Sequence, residues 1–260
     1  MAASGKRNSR KVEASTLSDN DPVVCLFIGG DRLRRCLSSE VMQQADRPLS
    51  AYYAARAGEY ERIYDKPERQ ADLARLQHLI PGYFVDRTVL EIACGTGYWT
   101  QSIAPVARNV TAIDINPETL AIARSKKLAA GRVSFEVADV QCLPSRYKAY
   151  TGAFAGFWWS HMRRADRPSF LGSLHGALGA GAIVVVLDNR YVEGSSTPIS
   201  HVDADGNSFQ RRQLADGSEH TVLKNFPSEA ELMAEIRADG TAVEYTALEY
   251  YWVLKYELAA

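Results

Sequence analysis

The segment from Val89 to Trp99, VLEIACGTGYW, constrains the fold of this chain more than any other part of it. Its first four residues form a mostly apolar run that predicts a buried strand. Gly95 and Gly97 then permit backbone conformations and close approaches that a Cβ atom would block. A strand, a tight glycine turn and a following helix are typical of an α/β sheet whose ligand lies against bare main chain beyond the strand.

Glu91 lies inside this strand and indicates which ligand the turn receives. Burying a carboxylate is costly unless a partner stabilises it, so we expect a cationic ligand group beside it. The dinucleotide motif G-x-G-x-x-G requires a third glycine, where this chain has Thr100, and an acid before the turn disfavours a pyrophosphate. The segment resembles the first motif of class I S-adenosylmethionine-dependent methyltransferases, E/D-x-x-x-G-x-G. A glycine turn of another α/β protein is the alternative.

Two more predicted strands end in acids, in the order that this family requires. Asn109–Asp114 ends in an acid placed to accept the ribose hydroxyls, with Ile115 against the adenine. Val133–Val140 contains Asp139, and the resemblance implies that this acid meets the adenine amino group. A single Asp at a strand end is usually a turn or cap residue. Acids at three successive strand ends favour a ligand site instead.

The resemblance implies S-adenosyl-L-methionine as the cofactor. Two of its expected contacts, Tyr53 and Tyr60, come from a helical segment similar to the leading helix of many small-molecule methyltransferases. Their alternative role is amphipathic core, and Arg56 between them either pairs with an acidic substrate group or is solvated. The expected cofactor residues are Tyr53, Tyr60, Glu91, Ala93, Gly95, Thr96, Gly97, Asp114, Ile115, Asp139, Val140, Gly156 and Phe157.

The fourth predicted strand, Tyr150–Phe157, leads into Trp158-Trp159-Ser160-His161, which we expect to face the methyl acceptor because ligands lie beyond the strand ends. His161 is the candidate general base, since an imidazole pKa near ~6.5 suits proton removal near neutrality. A packing or capping histidine is the alternative. Trp158 and Trp159 are expected to bind substrate, or else to pack against a helix. Tyr191 is a third expected substrate contact.

Two subgroups of the family and a metal site are disfavoured. The chain lacks the Asn/Asp-Pro-Pro-Tyr element of nucleobase amino-methyltransferases at the fourth strand. Catechol-type O-methyltransferases bind magnesium with an Asp at that point and an Asp-Asn pair later. Only the pair is present, as Asp188-Asn189 after the fifth strand Ile183–Leu187. Two hard oxygen ligands make a poor magnesium site, so we expect a strand-end turn or substrate contacts there, and no metal.

Length and composition agree with one enzymatic domain. With 260 residues and 46% hydrophobic content, the chain can bury a substantial core. We expect a methyltransferase domain over 49–260, with cap helices at about 49–80 and an inserted hairpin at about 193–226. Residues 1–48 are expected to be a disordered extension, or partly upstream of a start at Met42. The apolar run Val23–Gly30 is too short to span a membrane.

The net charge indicates which acceptors are expected, and the cysteines indicate the cellular compartment. A net charge of -1 does not predict a basic surface, so nucleic acid is not an expected partner. A membrane is not an expected partner either. The four cysteines have no C-x-x-C spacing and fit reduced thiols in a cytoplasmic protein.

The insertion offers residues for the acceptor pocket or for a homodimer contact, although an exposed hairpin is their simpler role. These residues are Tyr191, His201, Arg211, Arg212 and His220.

These expectations combine into one hypothesis. The fold is a doubly wound, mostly parallel seven-stranded sheet with helices on both faces and a C-terminal antiparallel hairpin formed by Val243–Leu248 and Tyr250–Glu257. The function is methyl transfer from S-adenosylmethionine to an O, N or S nucleophile of a small molecule. Two alternatives are an RNA or protein methyltransferase and a non-catalytic S-adenosylmethionine-binding protein.

Overall fold

A computed structural model describes residues 47–128, 131–140, 143 and 150–259, and its strands are organised in two sheets. The strands are β1 (Thr88–Ile92), β2 (Asn109–Asp114), β3 (Val133–Val137), β4 (Gly152–Gly156), β5 (Ile183–Asn189), β6 (Ile199–Val202), β7 (Ser208–Gln213), β8 (Glu219–Leu223), β9 (Gly240–Ala247) and β10 (Tyr251–Leu258). Seven of them form one sheet in the order β3-β2-β1-β4-β5-β10-β9. The other three form a small antiparallel sheet.

The large sheet has the predicted topology. Neighbouring strands among β1 to β5 are parallel, whereas β10 runs antiparallel to both β5 and β9. The chain order reverses between β1 and β4, so a crevice opens at their carboxyl ends. The predicted doubly wound sheet with a C-terminal antiparallel hairpin is confirmed.

Helices cover both faces of this sheet. They are α1 (Arg47–Arg56), α2 (Gln70–Gly82), α3 (Thr100–Ile103), α4 (Pro117–Ser125), α5 (Arg167–Ala177) and α6 (Glu229–Ile236), with 3₁₀ segments at Ala57–Tyr64, Pro67–Arg69, Trp159–His161 and Arg164–Asp166. Side chains of α2, α3 and α4 pack on one face, and those of α5 and α6 pack on the other. The two apolar cores explain why β1, β4 and β5 are nearly continuous hydrophobic runs.

The N-terminal cap is less regular than the predicted pair of helices. Tyrosine spacing and apolar periodicity predict helices over about 49–80, but α1 ends at Arg56 and the chain continues as a 3₁₀ segment to Tyr64. A second helical segment begins at Pro67, whose restricted φ suits the first position of a helix. Tyr52 and Tyr53 therefore lie on α1, whereas Tyr60 and Tyr64 lie on the 3₁₀ segment, and the four do not share one helix.

The insertion forms a three-stranded sheet rather than one hairpin. β7 and β8 match the predicted hairpin, and β6 pairs with the outer side of β7. All four residues of β6 are exposed, so no apolar alternation marked this strand in the sequence. Asn225 anchors the small sheet, because its side chain binds the Ser208 amide and the Met162 carbonyl.

The predicted extension at 1–48 falls almost entirely outside the described residues, the exceptions being the first two residues of α1. Cys25, Cys36 and Cys142 also lie outside them. Cys94 is buried with a free thiol, and burial raises its pKa well above the ordinary value. None of the helices in the described part of the chain has the length and apolar character needed to cross a membrane.

Candidate active site

The glycine turn after β1 is an unusual stretch of backbone. Ala93, Gly95 and Gly97 all have positive φ, at 50°, 55° and 73°. Phe157, just beyond the neighbouring strand β4, has φ 59°. Non-glycine residues in this region are strained, and such strain concentrates at ligand sites. The carboxyl ends of the two central strands therefore carry the backbone signature of a binding site.

Gly97 is needed for packing rather than for ligand approach. A Cβ atom at this position would lie 3.1 Å from the Cβ atom of Ala123 in α4. At Gly95 the nearest atom to a Cβ would be a ring carbon of Tyr60 at 3.9 Å, so space remains there. The first glycine of the motif keeps the main chain open, and the second seats a helix against the turn.

Asp114 connects β2 to this turn. Its Oδ2 accepts a hydrogen bond from the Gly95 amide at 2.8 Å, and its Oδ1 accepts one from the Asn116 amide at 2.8 Å. Burial raises the pKa of this carboxyl group, while the amides of Asn116 and Gly95 oppose the rise. Each carboxylate oxygen can accept more than one hydrogen bond, so Asp114 is equipped to receive two further hydroxyl donors.

A narrow cavity of about 90 Å³ lies beside Asp114 at the strand ends. Most of the predicted cofactor residues line it: Tyr53, Tyr60, Ala93, Gly95, Asp114, Ile115, Asp139, Val140, Gly156 and Phe157. Leu49, Ser50, Asn116, Thr119, Trp158 and His161 complete the wall. The lining is an acid at a strand end, exposed main chain and apolar side chains, which suits a nucleoside with a flexible arm.

Three predicted cofactor residues do not line this cavity: Glu91, Thr96 and Gly97. Thr96 is buried and donates its hydroxyl to Oε1 of Glu61 at 2.6 Å. Glu91 accepts a hydrogen bond from the Thr100 hydroxyl at 2.6 Å, and burial raises its pKa to about 8. The partner of this acid within the protein is therefore a hydroxyl group. Thr100, which replaces the third glycine of the dinucleotide motif, is the residue that stabilises this acid.

A second, larger cavity of about 390 Å³ meets the first. It extends between the N-terminal cap and the small sheet, and tyrosines and basic side chains dominate its wall. Four residues line both cavities: Tyr53, Tyr60, Phe157 and His161. We call these four residues the junction. Any group passed between ligands in the two cavities must pass there.

Tyr53 and His161 form a hydrogen-bonded pair at the junction. The His161 Nδ1 lies 2.7 Å from the backbone carbonyl oxygen of Leu223, and its Nε2 lies 2.7 Å from the Tyr53 hydroxyl. A carbonyl oxygen only accepts, so Nδ1 carries the proton and Nε2 accepts from Tyr53. Burial, with the charges of Lys224, Arg212 and Arg56, lowers the pKa of His161 well below its usual value. The imidazole is neutral at neutral pH, and its basic nitrogen is occupied by the Tyr53 hydroxyl.

The two tryptophans after β4 have different positions. Trp158 lines the narrow cavity. Trp159 is 0% exposed, with its ring 6.3 Å from that of Phe170 and under the guanidinium of Arg167. The expected substrate contact at Trp159 is wrong on this geometry, because its indole is part of the core beneath α5.

Tyr191 is also misplaced for substrate contact. It is 41% exposed, packs edge-on against Phe226 at 5.3 Å and lines neither cavity. Of the other insertion candidates, Arg211 and Arg212 line the larger cavity. His201 stacks on Phe209, and His220 lies beside the ring of Tyr52.

Asp188 and Asn189 have separate roles. Asp188 is buried and accepts hydrogen bonds from the Ser160 amide and hydroxyl at 2.8 and 2.9 Å. Lys224 from the insertion reaches the same carboxylate at 3.0 Å. Asn189 lines the larger cavity. The sequence offered no signal for the Lys224 contact, because it joins an insertion to a strand end that lies far away along the chain.

Comparisons with known proteins agree with this geometry. A family model described as a methyltransferase domain matches residues 89–181. The O-methyltransferase cnsE of Penicillium expansum is 33% identical over 104 residues, or 38% of this chain and 37% of that protein. The malonyl-[acyl-carrier protein] O-methyltransferase of Pectobacterium atrosepticum is 25% identical over 173 residues. That match covers 66% of this chain and 61% of the relative, so the chain spans less than two thirds of both curated proteins.

A solved structure extends the similarity beyond the matched domain. The DhpI-SAM-HEP complex superposes with a TM-score of 0.65 and is 27% identical, covering 80% of this chain and 96% of that one. The likeness therefore includes regions outside 89–181, where the family model stops.

Proposed function

Since the chain belongs to the class I S-adenosylmethionine-dependent methyltransferases, we propose that it moves the methyl group of this cofactor to a nucleophile on a small molecule. The observation that carries the proposal is the meeting of the two cavities at the junction. One cavity has the wall expected for the cofactor, and the other is large enough for a second small ligand.

The residues of the narrow cavity fit the cofactor. Asp114 has carboxylate oxygens available for the ribose hydroxyls, and Ile115 with Val140 provides apolar surface for the adenine. The open main chain at Gly95 leaves room for the methionine arm. S-adenosylmethionine supplies an electrophilic methyl group on a sulfonium centre.

The protein's main contribution is to orient the acceptor. Holding two reactants in line supplies up to roughly 7–11 kcal/mol of the barrier reduction. The junction restricts the approach of the nucleophile, because the ring centres of Tyr53 and Tyr60 lie 5.8 Å apart there and Phe157 lines both cavities. His161 holds the Tyr53 hydroxyl in this wall through their hydrogen bond.

A small-molecule acceptor is supported by the form of the larger cavity. It is walled by the N-terminal cap on one side and by β7 and the residues after β8 on the other. The names of two relatives identify O-methyltransferases, which favours oxygen among the possible nucleophiles.

Labelled methyl transfer tests this proposal. The purified protein is incubated with methyl-labelled S-adenosylmethionine and a cell extract, and the products are separated by size. We expect label in the small-molecule fraction, and none with Asp114→Asn at limiting cofactor. Label retained on RNA or protein would contradict the small-molecule acceptor. Tight cofactor binding with no label in any fraction would indicate a cofactor-binding protein without transferase activity.

A further inference from the structure

Four arginines that line the larger cavity form no ion pair with a carboxylate in the part of the chain that the structure describes: Arg56, Arg69, Arg211 and Arg212. Two of them, Arg56 and Arg212, are half-buried. Arg56 donates to the Tyr52 hydroxyl at 3.0 Å, and Arg212 donates to the side-chain oxygen of Gln210 at 2.7 Å. Both partners are neutral. Taking a cation out of water is costly unless an opposite charge compensates it.

Among the other charged groups of this wall, Arg69 donates to the Ser195 hydroxyl and Arg211 is exposed. Lys224 pairs with Asp188 at 3.0 Å. The acid Glu59 pairs with Arg62 at 3.4 Å, so it does not neutralise Arg56 or Arg212. The cavity therefore carries an excess of positive charge, even though the whole chain has a net charge of -1.

Of these arginines, Arg56 and Arg212 lie close to the junction. The guanidinium carbon of Arg56 is 5.6 Å from the ring centre of Tyr60, a junction residue. Arg212 lies beside the hydroxyls of Tyr52 and Tyr53. The charges of both arginines act on His161 as well. The positive charge is thus concentrated where the acceptor atom must sit.

We propose, on the basis of the methyltransferase function above, that the methyl acceptor is the oxyanion of a small organic acid, a carboxylate or a phosphorus oxyacid, held by Arg56 and Arg212. The oxyanion oxygen forms a bond to the methyl carbon, the donor's carbon–sulfur bond breaks, and its electron pair stays on sulfur. The negative charge of the reacting oxygen and the positive charge of the sulfonium cancel, so the transfer itself needs no base.

This chemistry fits the Tyr53–His161 pair. A hydroxyl, amine or thiol acceptor must lose a proton, but the basic nitrogen of His161 is already occupied by the Tyr53 hydroxyl. Burial raises the pKa of Tyr53 to about 12, so the phenol stays neutral. An acceptor that is already ionised needs no base, and the pair then positions one wall of the junction.

Fractionation of the acceptor pool tests the proposal. A metabolite extract is divided by anion exchange into retained acids and unretained neutral and cationic compounds, and each fraction receives enzyme and methyl-labelled cofactor. We expect label only in products of the retained fraction. Mild alkali then distinguishes a carboxylate acceptor from a phosphorus oxyacid. It frees labelled methanol from a carboxylate ester and leaves a phosphorus ester intact. Label from the unretained fraction alone would overturn the inference while the transferase function stands. No label in either fraction would contradict the transferase function itself.

Binding measurements provide a readout independent of turnover. Calorimetry with S-adenosylhomocysteine present measures the binding of benzoate and phenyl phosphate, with benzamide and benzyl alcohol as neutral counterparts. We expect the anions to bind and Arg212→Gln or Arg56→Gln to weaken them about 10-fold to 100-fold, as for loss of a hydrogen bond to a charged group. Arg237→Gln, on the exposed end of α6, is the matched control and should leave binding unchanged. Equal binding of acids and neutral counterparts, or unchanged anion affinity in both cavity variants, would overturn the proposal.

Discussion

At the scale of single residues, Asp114 is the position on which the cofactor site depends most. Its carboxylate fixes the Gly95 amide and the Asn116 amide while facing the narrow cavity. The same side chain thus shapes the glycine turn and has oxygen atoms left for a ligand. A change at this position should weaken cofactor binding even where the fold survives.

We predict that Asp114→Asn weakens S-adenosylhomocysteine binding about 10-fold to 100-fold, because hydrogen bonds to a charged group contribute about 1.5–3 kcal/mol. Isothermal titration calorimetry measures the change. Asp205→Asn is the matched control, since Asp205 is exposed in the turn before β7 and its side chain should not affect the cofactor. Equal affinities of the two variants would contradict the assignment of Asp114.

Glu91 should make stability depend on pH. Burial raises its pKa from 4.5 to about 8, so the folded state binds this proton more tightly than the unfolded state. Its contribution is fully present below the unfolded pKa and is lost as pH rises through 8. We predict that the free energy of unfolding falls with a slope of up to about 1.4 kcal/mol per pH unit in this window. Denaturation of Glu91→Gln, whose amide oxygen still accepts from Thr100, should lack this component. Parallel pH profiles for both proteins would show that Glu91 does not titrate this way.

Removing the Tyr53 hydroxyl distinguishes methylation of an oxyanion from a mechanism in which a base deprotonates the acceptor. If the acceptor is an oxyanion, we predict that Tyr53→Phe lowers kcat/KM less than about tenfold and adds no ionisation between pH 6 and 9. A base acting on a protonated acceptor contributes roughly 10²–10⁴-fold, and a loss of that size in Tyr53→Phe would support the base mechanism instead. Tyr191→Phe, outside both cavities, should leave the rate unchanged.

At the scale of elements, the small sheet is attached to the large one through buried polar contacts. Lys224, just after β8, reaches Asp188 in β5, and both side chains are almost fully buried. Burial lowers the pKa of Lys224 to about 8, although the Asp188 charge opposes this. The wall of the larger cavity therefore depends on an ion pair between elements that belong to different sheets.

We predict that Lys224→Met destabilises the protein by about 3–5 kcal/mol, because it leaves the Asp188 charge buried without a cation. Chemical denaturation measures the loss. Adding Asp188→Asn should restore part of it. Lys255→Met is the matched control: its acid partners Glu244 and Glu257 have 58% and 42% exposed side chains, so its loss should stay within about 1 kcal/mol. A Lys224→Met loss no larger than that of Lys255→Met would contradict the anchoring role.

At the scale of the whole molecule, local signals predicted the sheet and most of the narrow cavity. The strand, turn and acid of Val89–Gly97 and the acid at Asp114 lie on consecutive elements, so topology alone brings their ends together. Contacts made through burial or through the insertion had no such signal. Trp159 could not be told from a substrate contact, and Arg212 and Lys224 reach the site only because the small sheet folds back over the strand ends.

The proposed function requires the donor methyl group and the acceptor to meet at the junction of the two cavities. A crystal structure with S-adenosylhomocysteine and phenyl phosphate tests it most directly. We expect the ribose hydroxyls on Asp114, the sulfur facing Tyr53 and Phe157, and the phosphate between Arg56 and Arg212. A cofactor bound with its sulfur turned away from the junction, or a phosphate bound away from both arginines, would contradict it.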